Sequence, residues 1–85
     1  MDSVYSINIE RAVLSSVLFN PEEIEEILGV LKHKDFYLPA HQKIFEVMEN
    51  LHTNDLPIDE EFIRKRVLAK DVDDSILIEI LSANP

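Results

Sequence analysis

The residues of this chain whose types could do chemistry are three histidines, six serines, an acidic run before Ser75, a glutamate cluster at 22–26 and one basic triplet. His33, His41 and His52 stand eight and eleven residues apart. A helical metal site wants a histidine pair at i, i+4 with a carboxylate alongside, so this spacing suits exposed or helix-end histidines. His41, early in a helical pattern, is the one expected to make a structural contact. Asp71-Val72-Asp73-Asp74-Ser75 begins like a calcium loop, but an EF-hand needs glycine at its sixth position and a bidentate glutamate at its twelfth. Ile76 and Ser82 stand there instead, so these acids read as turn and cap residues.

Asp74-Ser75-Ile76 is similar to the phosphopantetheine serine motif of acyl carrier proteins, which are also small, acidic and helical. Only ten residues follow Ser75, too few for the helices that surround the prosthetic arm in that family. The serines at 3, 6, 15, 16, 75 and 82 have no glycine-flanked elbow and no ordered histidine–carboxylate partner. A phosphate loop is excluded as well. It requires glycines whose backbone N–H groups close around phosphate, and the one glycine, Gly29, lies in an apolar stretch beside Val30 and Leu31. Metal, cofactor and catalytic residues are therefore all expected to be none in this chain.

The charges point to proteins rather than nucleic acid. Seventeen acids against eight bases leave a net charge of −9, and phosphate binding is driven by Lys and Arg displacing counterions. Glu22, Glu23, Glu25 and Glu26 occupy one helix face, which reads as a solvated surface or, more sharply, as a docking face for a basic partner. The triplet Arg64-Lys65-Arg66 reads as local counter-charge to Glu60 and Glu61 at i, i+4. Without cysteine there is no disulfide framework or thiolate site. Apolar runs such as Ile76-Leu77-Ile78 fall far short of the roughly 18 residues that span a membrane, and no basic start precedes an apolar leader. A cytoplasmic domain is the expected setting.

The elements that must position these residues are helices, and the fold class expected is all-α, about five short helices in one body. In 85 residues there is room for one small domain with a thin core. A first helix is predicted over 8–19, behind a flexible segment 1–7. Its stripe is Ile9, Val13 and Val17 with Ala12, Leu14 and Leu18, and Glu10, Arg11 and Ser15 take the outer face. Asn20 as cap, Pro21 at the first helical position and Glu23 three residues after the cap predict a capping box. A second helix follows with Ile24, Ile27, Leu28 and Leu31 inside and Lys32-His33-Lys34 at its end, which suits the helix dipole.

Pro39 biases Leu38 out of helical geometry, so 35–39 is a connector whose aromatics Phe36 and Tyr37 face inward. A third helix over about 40–52 buries Ile44, Phe45, Val47, Met48 and Leu51. Asn54-Asp55-Leu56-Pro57 is a turn. Asp59 then starts a fourth helix, with Ile58 and Ile63 placed as a hydrophobic staple and Phe62, Ile63, Val67 and Leu68 as its stripe. Asp73 or Asp74 caps a last helix carrying Ile76, Leu77, Ile80 and Leu81.

Three blocks, in order, resemble a known family. Ile9-Glu10-Arg11-Ala12-Val13-Leu14-Ser15-Ser16-Val17-Leu18 comes first. Asp35-Phe36-Tyr37 follows, with His41 and Ile44-Phe45. Leu51 and then Pro57-Ile58-Asp59 complete the set. Over residues 8–85 the chain resembles the N-terminal head domain of bacterial replicative DNA helicases, the DnaB family. Two departures stand out. Ser15 replaces a glycine usual after the Val-Leu of the first helix, keeping the residue small. Asp55 replaces a glycine before the Pro-Ile-Asp turn, at a position that would need left-handed backbone, which Asp tolerates better than most residues.

The resemblance implies a parent protein that is a hexameric, cytoplasmic bacterial helicase, its ATP and Mg held by a C-terminal RecA-like domain that lies beyond the head and its helical hairpin. It implies that the head itself is non-catalytic, supports ring assembly with other helicase subunits and docks the C-terminal domain of primase. Glu22, Glu23, Glu25, Glu26, Phe36 and Tyr37 are the residues expected at the docking surface. Two other readings remain open: an autonomous acidic carrier or adaptor, and the related helicase-binding domain of primase, which has a similar helical head. Because the extended elements that tie such subunits together are not among these residues, little apolar surface remains to bury between copies. Light scattering at micromolar concentration is expected to return a monomer or weak dimer, and a stable hexamer would contradict this.

Overall fold

Caps and prolines divide the chain into five α-helices among the described residues: α1 (Ser3–Phe19), α2 (Ile24–Leu28), α3 (Pro39–Thr53), α4 (Glu60–Leu68) and α5 (Asp74–Ser82). Two short 3-10 turns, Pro21–Glu23 and His33–Asp35, bracket α2. The computed structural model describes residues 3–83. No strand occurs among them, and no helix is long and apolar enough to cross a membrane. The central helix is α3, which touches α1, α2, α4 and the His33–Asp35 turn; α5 closes the body by packing on α1 and α4.

In α3 the hydrophobic stripe is clean. Ile44, Phe45, Val47, Met48 and Leu51 are all buried, with His41 added one turn earlier. Leu38 is extended (φ −78°, ψ 124°) and Pro39 opens the helix, because the proline ring excludes helical geometry at the residue before it. Phe45 is fully buried and lies 4.9 Å, centroid to centroid, from Phe36 of the preceding connector. A tilted aromatic pair of this kind adds about 0.5–1.5 kcal/mol to the area it buries.

The helix ends follow local chemistry. At the end of α3, Asp55 has φ 56°; its N–H donates to the His52 carbonyl (3.1 Å), and the Leu56 N–H donates to the Leu51 carbonyl (2.8 Å). This is a Schellman closure with aspartate in the left-handed position, as the Asp55 spacing predicts. The end of α4 repeats it: Asp71 has φ 63°, with bonds from Asp71 N–H to the Leu68 carbonyl (3.2 Å) and from Val72 N–H to the Val67 carbonyl (3.1 Å). The Asp59 side chain caps α4 by accepting from the Phe62 N–H, and Asp73 caps α5 by accepting from the Ser75 N–H. Ile58 and Ile63 are both buried across the start of α4, as a staple requires.

Several expectations are corrected. The first helix begins at Ser3 rather than residue 8, since no glycine or proline interrupts 3–7 and extending a helix costs far less than nucleating one. Met1 and Asp2 of the expected flexible segment lie outside the described residues. The buried face of α1 is rotated: Glu10 and Ser15 are inside while Ile9 is 47% exposed. Asn20 makes no side-chain capping bond, because residues 21–23 wind as a 3-10 turn and Glu23 instead accepts from the Ser16 hydroxyl of α1. The second helix stops at Leu28, with Gly29 at its C-cap. The Lys32 ammonium nevertheless reaches back to the Leu28 carbonyl (3.2 Å), the dipole-complementing contact expected of a basic helix end. On α4 only Ile63 and Val67 are buried; Phe62 and Leu68 turn outward because so short a helix has one neighbour-facing edge.

Phe45→Ala is expected to cost about 3–5 kcal/mol through lost transfer energy and the cavity left behind. Chemical denaturation checks this, and wild-type stability would mean that α3 is packed otherwise.

Candidate partner-docking surface

The most committed side chain in the molecule is Glu10. It sits on the inner face of α1 in register with Leu14 and Val17, and it is only 8% exposed. Its carboxylate accepts the backbone N–H groups of Tyr37 and Leu38 and faces His41 Nδ1 at 2.9 Å. A carboxylate offers only acceptors, so the imidazole donates through Nδ1. The extended backbone at 36–38, which has no helical partners for its amides, thus finds them on a side chain of α1. From the other side Gln42 Nε2 donates to the Phe36 carbonyl (2.6 Å).

That clamp decides where the two expected aromatic docking residues go. Successive side chains of an extended strand point to opposite sides. Phe36 turns into the core at 4% exposure and offers no surface to a partner. Tyr37 turns out and is 62% exposed, contrary to the inward packing expected of both aromatics. Glu10 and His41 resemble a catalytic acid–base pair in type. Both are buried, and the Glu10 carboxylate is taken up by two backbone amides and the imidazole, so the pair holds the connector in place. Spacing from Glu10 to Leu14 and Val17 was the one signal that could have revealed it; a lone glutamate in an apolar register reads as surface by default.

A second patch lies on the Pro21–Leu28 segment. Glu22, Glu23, Glu25 and Glu26 are all exposed. Glu23 is tied to Ser16, whereas the other three have no ion pair or side-chain hydrogen bond among the described residues. Beside them an open groove of ≈ 440 Å³ runs between this turn, the end of α3 and the α3–α4 connector, lined by the apolar Ile24, Leu56 and Ile58, by Glu22 and Glu25, and by His52 from the last turn of α3. Tyr37 is not among the residues that line this groove.

Elsewhere several acids are paired. Arg64 pairs with Glu60 (3.0 Å) and with Asp74 (2.9 Å), so of the basic triplet Arg64 supplies the counter-charge expected for Glu60 and extends it to α5, while Lys65, Arg66 and Glu61 form no ion pair among the described residues. His33 donates from its backbone and faces Glu49 through Nδ1 (2.8 Å), pinning the 3-10 turn to α3. Ser75 is exposed in the first turn of α5, its N–H held by Asp73.

Comparison with known proteins decides the family. The model of the DnaB-like helicase N-terminal domain matches residues 2–85. The chain belongs to the DnaB-like helicase N-terminal domain family. Among its relatives, the replicative DNA helicase DnaB of Helicobacter pylori strain J99 is 43% identical over 79 residues, covering 92% of this chain and 16% of that protein. DnaB of Pasteurella multocida is 38% identical over 84 residues, covering 94% of this chain and 18% of that one. The chain thus spans less than a fifth of the length of these curated relatives.

The DnaB-like fold is matched as well. A solved structure of the N-terminal domain of DnaB helicase from Helicobacter pylori, described together with its interactions with primase, superposes with a TM-score of 0.87 at 40% identity. It covers 100% of this chain, which covers 73% of that one. The helicase resemblance is therefore correct, and with it the all-α class.

Removing the buried carboxylate of the DnaB-like domain orphans two amides and an imidazole. Glu10→Ala is expected to cost about 2–4 kcal/mol, with Glu10→Gln, which keeps an acceptor oxygen, costing less. Denaturation midpoints check the order, and hydrogen exchange should speed up first at the Tyr37 and Leu38 amides. Equal stability of all three proteins would contradict the clamp.

Proposed function

We propose that this chain is the non-catalytic head of a replicative helicase, and that it docks the C-terminal domain of primase and supports assembly of helicase subunits into a ring. The parent protein unwinds DNA with ATP and Mg bound in a domain beyond these residues, in the bacterial cytoplasm. The single observation that supports the docking reading most is the full-length superposition on a DnaB N-terminal domain described with its primase interactions.

The local chemistry supports it independently. A partner surface gains most from a few preorganised aromatic anchors, and Tyr37 is an exposed tyrosine on a backbone clamped by Glu10, Gln42 and the buried Phe36. Glu22, Glu25 and Glu26, exposed and without internal cations, add an acidic field that speeds encounter with a basic protein and repels nucleic acid. No phosphate loop and no basic groove compete with this reading among the described residues.

Titrating labelled chain with the purified C-terminal domain of the cognate primase tests it. Binding is expected to be saturable, and Tyr37→Ala is expected to weaken it about tenfold, a hot-spot loss, while leaving the melting temperature unchanged because the ring is exposed. No binding by the wild-type chain would overturn the docking reading.

A further inference from the structure

The groove beside the glutamate turn has the features of a built receptor, and they extend the docking reading, on which this inference rests, to the chemistry of what is bound. Both walls are held rigid. On one side Pro21 has a fixed φ, and Glu23 locks the turn to Ser16 of α1. On the other, the left-handed Asp55 and the Leu56–Leu51 backbone bond fix the connector, and Ile58 is anchored in the core at 7% exposure. The groove therefore needs no reordering to receive a ligand, which removes a main cost of binding.

Its lining is of three kinds, an apolar floor, an acidic rim and the single imidazole of His52. Ile24, Leu56 and Ile58 give an apolar floor, of which Leu56 is 37% exposed. Glu22 and Glu25 stand on the rim and form no ion pair among the described residues, with His52 or any other side chain, whereas Glu10, Glu46, Glu49, Glu60, Asp74 and Glu79 each face a histidine, lysine or arginine. Unpaired rim carboxylates above an apolar floor complement one chemistry: an apolar side chain flanked by Lys or Arg. Phosphate-bearing ligands are repelled by the same rim. The volume, ≈ 440 Å³, suits a few side chains rather than a whole packed helix.

We propose that the groove between the Pro21–Glu25 turn and the 54–58 connector seats a short basic segment of primase, with one apolar side chain on Ile24, Leu56 and Ile58 and flanking cations on Glu22 and Glu25. Tyr37 does not line the groove, so the groove's part in binding can be tested apart from that of Tyr37.

The test uses the whole chain and the purified C-terminal domain of the cognate primase. Glu25→Lys is expected to weaken binding about tenfold and to flatten its dependence on salt, since a rim charge acts through electrostatic attraction. Glu61→Lys, the same charge change at an exposed acid outside the groove, is expected to bind as wild type. Amide resonances of residues 22–25 and 54–58 are expected to shift on addition of primase. Wild-type binding that survives Glu25→Lys, or shifts confined to other segments, overturns the groove while leaving the docking reading standing. Failure of the wild-type chain to bind overturns that reading and the groove together. Equal weakening by Glu25→Lys and Glu61→Lys also overturns the groove, because it would show attraction to overall charge only. Melting curves of both variants should match wild type, since neither glutamate has an internal partner.

Discussion

The carboxylate of Glu10 is the contact on which the arrangement of the other elements depends. An acid at 8% exposure is costly to bury unless its oxygens are hydrogen-bonded. Here two backbone amides and an imidazole supply the donors. The bond spans 27 residues to Tyr37 and 31 to His41, so it joins α1 to the start of α3 across the whole of α2 and both 3-10 turns. A hydrophobic contact of similar reach would hold the helices together but would tolerate sliding. Three directed hydrogen bonds fix the extended backbone at 36–38, and with it which aromatic is core and which is surface.

The residues that form the core and those that present exposed charge are largely different ones. The core is concentrated on α3 and on the inner edges of the short helices, where Phe45, Met48, Leu51, Ile63 and Leu77 are fully buried. What faces outward is acidic, and much of it is internally compensated by Arg64, Lys70, His33 and Arg11. The exceptions on the Pro21–Leu28 segment adjoin the apolar groove. The family to which the chain belongs is one of helicase N-terminal domains.

Much of this was legible along the chain because its causes are local. The third helix could be read with its core because its apolar residues recur at helical spacing without interruption. Asp59 and Asp73 were identifiable as caps because capping is a matter of two or three neighbouring residues. The left-handed Asp55 followed from a turn sequence placed just after a helix. By contrast α1 was misread by rotation. Ile9 and Ala12 are apolar and lie outside, and Glu10 and Ser15 are polar and lie inside, so a count of hydrophobic residues selects the wrong face. The Asn20 cap failed for a related reason: the partner that draws Glu23 away, Ser16, is on the previous helix.

What the sequence by itself determined is the all-helical class, the caps and turns around the last three helices, the absence of a phosphate loop, and, through three ordered blocks, the helicase family. These depend on spacing within a few residues or on a pattern preserved in order. Only the tertiary structure decided that Phe36 is core and Tyr37 surface, that Glu10 is a buried clamp, and that Glu22 and Glu25 border an apolar groove with Leu56 and Ile58. Each of these rests on groups brought together from distant parts of the chain. Their physical cause, satisfying a buried polar atom or leaving a charge without a partner, exists only after the helices have packed.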